Sequence, residues 1–153
     1  METSVTKRRI QARWVEKLFR DLTPAEQRLI KNALGDLPLE PSCGTQDILW
    51  ARATAGEIGL WICRDEAEQI AVVTFYQVEK FCDDTLNFVS LATIAMGCAD
   101  RSITDTDMPQ MEALARRLGC HSMSMRTIRP GLVKRITEIH GWFASEVILR
   151  KIL

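Results

Sequence analysis

Met111-Glu112-Ala113-Leu114-Ala115-Arg116-Arg117-Leu118-Gly119-Cys120 has the clearest period in the chain. Met111, Leu114, Ala115 and Leu118 recur at helical spacing, which predicts a helix from Met108 that Gly119 stops. Asp107 and Gln110 have the spacing of a capping box at its start, and Pro109 then falls in the first turn. Cys120 to Arg126 follows as a strand. Arg129-Pro130-Gly131 opens a second helix, with Leu132, Val133, Ile136 and Ile139 on one face as far as Gly141. Trp142 to Leu153 reads as a closing apolar strand with Arg150 and Lys151 near its tip.

Upstream of this helix–strand–helix–strand run the period shortens to that of strands. Ile58–Cys63, Gln69–Glu79 and Leu86–Met96 are predicted strands joined by polar loops at 64–68 and 80–85. Ala71 to Tyr76 is apolar on both faces, as in a strand covered on both sides. The crossover through the Met108 helix predicts that Leu86–Met96 and Cys120–Arg126 run parallel. Before the strands, Asp47–Ala55 has helical spacing and Gly56 closes it. Thr23, Pro24 and Glu26 form a capping box for a helix carrying Leu29, Ile30 and Ala33 and ending at Gly35. Ile10, Trp14, Val15 and Leu18 predict a further amphipathic helix over Thr6–Arg20, with Lys7, Arg8, Arg9, Arg13, Lys17 and Arg20 opposite. The fold class is α/β, a mixed sheet flanked by helices. Residues 1–45 supply N-terminal helices and a connector and 46–153 the α/β core, one structural domain overall.

A chain of 153 residues with 46% hydrophobic and 26% charged side chains can bury one core. Zero formal net charge argues against broad electrostatic attraction to nucleic acid. No apolar run approaches the roughly 20 residues of a membrane helix, and the charged first residues do not read as a secretory leader. The expectation is a protein that is neither secreted nor membrane-bound. Five cysteines (Cys43, Cys63, Cys82, Cys98 and Cys120) are an odd, scattered set, and with two histidines they offer no metal-site spacing. They read as reduced thiols, and no metal is expected.

Several short segments carry a resemblance to a known family. They are Ala55-Gly56-Glu57-Ile58-Gly59-Leu60-Trp61, the strand Ile70–Thr74, Ala113 to Cys120, Arg129-Pro130-Gly131, Gly141-Trp142 and Leu149-Arg150-Lys151-Ile152-Leu153. In order and spacing the chain resembles the GNAT superfamily of N-acetyltransferases, and more closely the divergent acetyltransferase-like proteins of bacteriophages and prophages. The resemblance implies a single-domain GNAT mixed sheet in which acetyl-CoA lies where two parallel strands splay apart, here Leu86–Met96 and His121–Arg126. Thr93, Ile94, Ala95 and Met96 would offer backbone to the pantetheine, and Arg101 and Ser102 would favour its phosphates. The turn after Met96 has one glycine, Gly97, in place of the family's glycine-rich signature. Asp100, Asp105 and Asp107 stand where a pyrophosphate would sit.

Acetyl transfer to an amine needs a base for the nucleophile and a donor for the leaving thiolate. Where many members of the superfamily carry a tyrosine, this chain has Thr137. Tyr76, the one tyrosine, reads as a core residue with a bonded hydroxyl, and Glu79 as a base candidate at a strand end. Arg126 and Arg129 flank a helix start and read either as an anion site or as turn residues paired with surface acids. Trp61 and Trp142 read as core, Trp14 as an interface anchor. Two functions stand. The first is a catalytically degenerate, virion-associated structural or binding component that uses no cofactor. Its partners would be other phage proteins or further copies of itself, in the virion or the host cytoplasm. The alternative is an active acetyl-CoA-dependent N-acetyltransferase.

Overall fold

The computed structural model describes residues 13–39, 44–96, 103–126, 130–145, 149 and 151–153. Five strands form one sheet in the order β1-β2-β3-β4-β5. They are β1 (Arg13–Lys17), β2 (Gly59–Arg64), β3 (Ile70–Lys80), β4 (Leu86–Ala95) and β5 (Cys120–Met125). Each of the first four is antiparallel to its neighbour, and β5 lies parallel to β4, as the crossover through the helix between them predicts. Helices α1 (Pro24–Gly35), α2 (Gln46–Thr54), α3 (Ile103–Arg117) and α4 (Pro130–Ile139) complete the α/β fold.

Two apolar layers sandwich the sheet. Ile30 and Leu34 of α1, with Leu49 and Ala53 of α2, pack on Leu60, Ile62, Val73, Phe75 and Val89. Met111, Leu114 and Ala115 of α3 pack on Trp61, Tyr76 and Phe88. The strands place alternate side chains on alternate faces, so β2 and β3 feed both layers, and Leu60–Cys63 and Ile70–Tyr76 are buried. Local signals start α1 as the sequence predicts. Thr23 Oγ1 accepts from the Glu26 N–H, Glu26 Oε1 accepts from the Thr23 N–H, and Pro24 occupies the first turn, where its missing donor costs nothing.

Three expectations are corrected. The segment expected to be helical up to Arg20 is strand β1 over Arg13–Lys17, followed by a short 3-10 turn at Phe19–Asp21; residues 1–12 lie outside the described ones. Pairing with β2, Trp14 opposite Cys63 and Glu16 opposite Trp61, overrides the local helical spacing. Trp14 is therefore a strand residue. Helix α3 begins at Ile103, which makes Pro109 its seventh residue, so Asp107 and Gln110 do not cap its start. Finally, the closing strand over Trp142–Leu153 is not formed among its described residues.

Candidate functional site

Strands β4 and β5 pair from Leu86↔Cys120 to Ser90↔Met125, and no further. Strand β4 continues to Ala95 on its β3 side, where Val72 pairs with Ala95 and Thr74 with Thr93. Over Leu91–Ala95, then, one edge of β4 has no strand pairing to β5 among the described residues. An extra residue, Leu91, sits at the same level: Phe75 pairs with Ala92 and Tyr76 with Ser90, leaving Leu91 as a bulge. Bulges bend and twist a strand, and this one falls where the pairing with β5 ends. This unpaired edge of β4 is where the cleft expected from the sequence would lie, with Thr93 and Ala95 exposed, Ile94 buried and Met96 partly buried. The Met96 N–H donates to the Ala71 carbonyl at 2.7 Å, which holds the end of the strand to β3.

Below the cleft the parallel pair is held by side chains as well as backbone. Asn87, buried in β4, donates through Nδ2 to Ser124 Oγ and accepts from Ser122 Oγ through Oδ1, both at 2.9 Å. Burying an amide is tolerable here because both ends are bonded. The chain passes from β4 to α3 through residues 97–102, so Gly97, Cys98, Asp100, Arg101 and Ser102 lie outside the described residues. The early start of α3 matters for chemistry. Within the helix, the first-turn N–H groups without helical partners belong to residues 103–105, so Pro109 removes none of them.

Tyr76 is buried beside the α3 layer, its ring stacked on Phe88 with centroids 4.9 Å apart. Its hydroxyl donates to Glu16 Oε1 of β1 at 2.6 Å. Burial, and then the Glu16 carboxylate, push the phenol far above its ordinary value of 10.0. Tyr76 is thus a bonded core residue, as its sequence context suggests. Because it is the only tyrosine, its ionisation can be followed alone. The raised folded value means that its contribution to stability is complete below about pH 10 and falls as pH rises above it. The native protein should show no phenolate absorbance between about pH 10 and 11, and the band should appear only on unfolding. A phenolate signal that titrates in the folded protein near its ordinary value would refute the Glu16 bond.

The other candidates are dispersed. Glu79 pairs with Asn87, toward the end of β4 remote from the cleft. It accepts from Gln77 Nε2 at 3.1 Å, and Gln77 accepts from Arg52 at 2.8 Å. The Thr137 hydroxyl is engaged by the Val133 and Lys134 carbonyls of its own helix. Arg126 is exposed just after β5, and Arg129 lies outside the described residues. Of the cysteines, Cys63 and Cys120 are buried and Cys82 exposed; burial raises the Cys120 thiol above its ordinary value. Cys43, like Cys98, lies outside the described residues. No group of three or more potential metal ligands occurs among the described residues. The helices there include none long and apolar enough to cross a membrane.

What sequence reasoning missed is a cluster of hydroxyls at the mouth of the cleft. Thr74 and Ser90 are buried, and both contact the exposed Thr93, at 3.1 and 3.3 Å between oxygens. Thr74 is one hydroxyl in the otherwise apolar run Ile70–Phe75, and that was the available signal.

No known family pattern and no curated protein matches this sequence. Solved structures do. A possible acetyltransferase from Clostridium difficile superposes with a TM-score of 0.67 at 8% identity, covering 93% of this chain and 97% of that one. A GNAT family acetyltransferase from Staphylococcus aureus gives 0.59 at 13% identity over 92% and 98%. Glucosamine-6-phosphate N-acetyltransferase from Arabidopsis thaliana gives 0.55 at 13% identity over 92% and 98%. Over more than nine tenths of its length the chain thus follows a known architecture: it has the GNAT acetyltransferase fold.

Proposed function

We propose that this protein binds acetyl-CoA or a related acyl-CoA in the β4/β5 cleft, and that it acts as a binding component rather than a fast enzyme. The observation that carries this is the end of parallel pairing at Ser90↔Met125 while β4 runs on to Ala95. That leaves backbone donors and acceptors of β4 for an extended, amide-bearing chain such as pantetheine. The first turn of α3, which follows β4, has its N–H groups free of the proline and suits a phosphate. Residues Thr93 to Met96 would hold the pantetheine, and Arg101 and Ser102 the phosphates. When bound, the group supplies an activated acyl thioester.

Slow chemistry is supported by where the acid–base candidates sit. Tyr76 is committed to Glu16, Thr137 to its own helix and Glu79 to the remote end of β3. Positioning alone would then drive any transfer. Calorimetric titration with acetyl-CoA and CoA at low salt is expected to give micromolar binding. Thiol release in the presence of amines should remain near the uncatalysed rate. Absence of heat with millimolar ligand would end this reading, and rapid thiol release would make the protein an active N-acetyltransferase.

A second reading is a phage-type, virion-associated structural component, in the particle or in the host cytoplasm, that needs no cofactor. Its support is the exposure of Phe143, Leu149, Ile152 and Leu153 beyond α4, large apolar side chains of the kind that anchor protein interfaces. Arg126 and Arg129 would then meet acidic groups of a partner protein.

A further inference from the structure

The two ends of the sheet are built differently. Strand β1 closes one end, and three of its five residues, Arg13, Glu16 and Lys17, are charged. Charge on an edge strand keeps other strands from adding to it. Strand β5 closes the other end. It pairs with β4 on one side, and among the described residues no strand pairs with its outer side. Its sequence, Cys120-His121-Ser122-Met123-Ser124-Met125, has no proline, lysine, arginine or carboxylate. Its one irregularity, at His121, leaves Ser122–Met125 regular. The outer backbone N–H and C=O groups of β5 are thus offered to a further strand without a guard.

The chain beyond β5 is short of cover. Helix α4 buries Ile136, but Val133 and Ile139 on the same stripe are 38% and 56% exposed. Past the helix, Phe143, Leu149, Ile152 and Leu153 are 80%, 90%, 98% and 109% exposed. At those exposures the six residues present on the order of 800 Å², which is what a standard interface takes from each partner. The same segment has strand composition: Phe143, Val147, Leu149 and Leu153 fall on one face of an extended chain. A matching row exists on β5. Met123 packs on the α3 layer, alternation gives Met125 the same face, and both are only partly buried.

We propose that two copies of this chain associate by exchanging their C-terminal segments, each segment from Trp142 adding as a strand to the outer edge of β5 in the other copy. The second copy is the occupant because both halves of the contact, an edge without a strand and a strand without an edge, are present on every chain in equal number. The exchange is reciprocal and closes on itself as a two-fold dimer. Backbone bonds along β5 supply affinity, and the apolar row laid beside Met123 and Met125 sets the register. Each copy thereby extends the other's α3 layer by one strand. The proposal stands independently of the acyl-CoA reading.

Sedimentation equilibrium of the full chain reads the association. Wild type is expected at twice the 17.4 kDa of one copy. The double variant Phe143→Glu, Leu149→Glu, first shown to unfold cooperatively, should associate about a hundredfold more weakly. Met125→Lys puts a charge on the receiving edge instead of on the added strand and should have the same effect, so either variant alone decides. Hydrogen exchange locates the contact. The β5 amides that do not bond to β4 should be protected in the wild-type dimer, and should exchange fast on dilution to monomer and in both variants. A wild-type protein that is monomeric at every concentration overturns the proposal, as does a dimer that the substitutions leave intact. Protection of β5 that does not change on dilution would place the segment on its own β5 and overturn the exchange.

Discussion

Gly59→Ala is expected to destabilise the protein by about 2–4 kcal/mol, the combined effect of overpacking and a lost buried hydrogen bond. Gly59 opens β2 directly opposite Tyr76. A methyl group there would stand 2.6 Å from both Tyr76 Cε1 and Oη, and closer still to Cζ. The ring cannot simply slide away, because it is stacked on Phe88 and its hydroxyl is bonded to Glu16. Gly59 does not have a positive φ, so the conflict is one of volume. Moving the ring would loosen the α3 layer and release β1 together. Equilibrium denaturation in urea measures the loss. A change within about 0.5 kcal/mol, the range of neutral surface substitutions, would mean that the ring has room to move.

Arg64→Met is expected to lower stability by about 2 kcal/mol at neutral pH, between the values for exposed and fully buried ion pairs. Arg64 Nη2 lies 2.6 Å from Glu26 Oε2, with the side chains 17% and 21% exposed. Its Nη1 donates to the Glu68 carbonyl at 2.9 Å. One guanidinium thereby ties the start of α1 to the turn between β2 and β3. Burial favours the protonated form of Glu26, but the bonds from Arg64 and Thr23 outweigh it and hold the carboxyl below its ordinary 4.5. A depressed folded value stabilises the fold above the ordinary value, and that contribution is lost as pH falls through the folded one. The gap between wild type and Arg64→Met should therefore be smaller in strongly acidic solution, well below pH 4.5, than at neutral pH. If denaturation curves show the same gap at both pH values, the ion pair is not its source.

The sequence was most legible where the signal is local. Thr23, Pro24 and Glu26 announce the start of α1 because a capping box is complete within four residues. Ile70 to Tyr76 announces a covered strand through its composition. Strand β1 was illegible for the opposite reason. Arg13-Trp14-Val15-Glu16-Lys17 fits a helical stripe and a strand equally well, and only its partner, more than 40 residues away in β2, decides between them. Asp107 and Gln110 misled because a capping spacing can also occur inside a helix that already has its start, as it does in α3. At the site, the strand carrying Thr93 could be read from the sequence. Its link to Thr74 and Ser90 could not, since it depends on a register shifted by the Leu91 bulge.

The strand order β1-β2-β3-β4-β5 also bears on how the molecule assembles in time. Strands β2, β3 and β4 are joined by short turns, so their pairing closes small loops and costs little chain entropy. Strand β1 must find β2 across α1 and α2, and β5 must wait for α3 to cross. A chain built this way nucleates in the central meander and adds its outer strands afterwards. Contacts that form after the rate-limiting step act on how fast the native state opens and little on how fast it forms. The bond between Tyr76 and Glu16, which fastens the late strand to the early ones, thus governs the lifetime of the folded state more than the speed of reaching it.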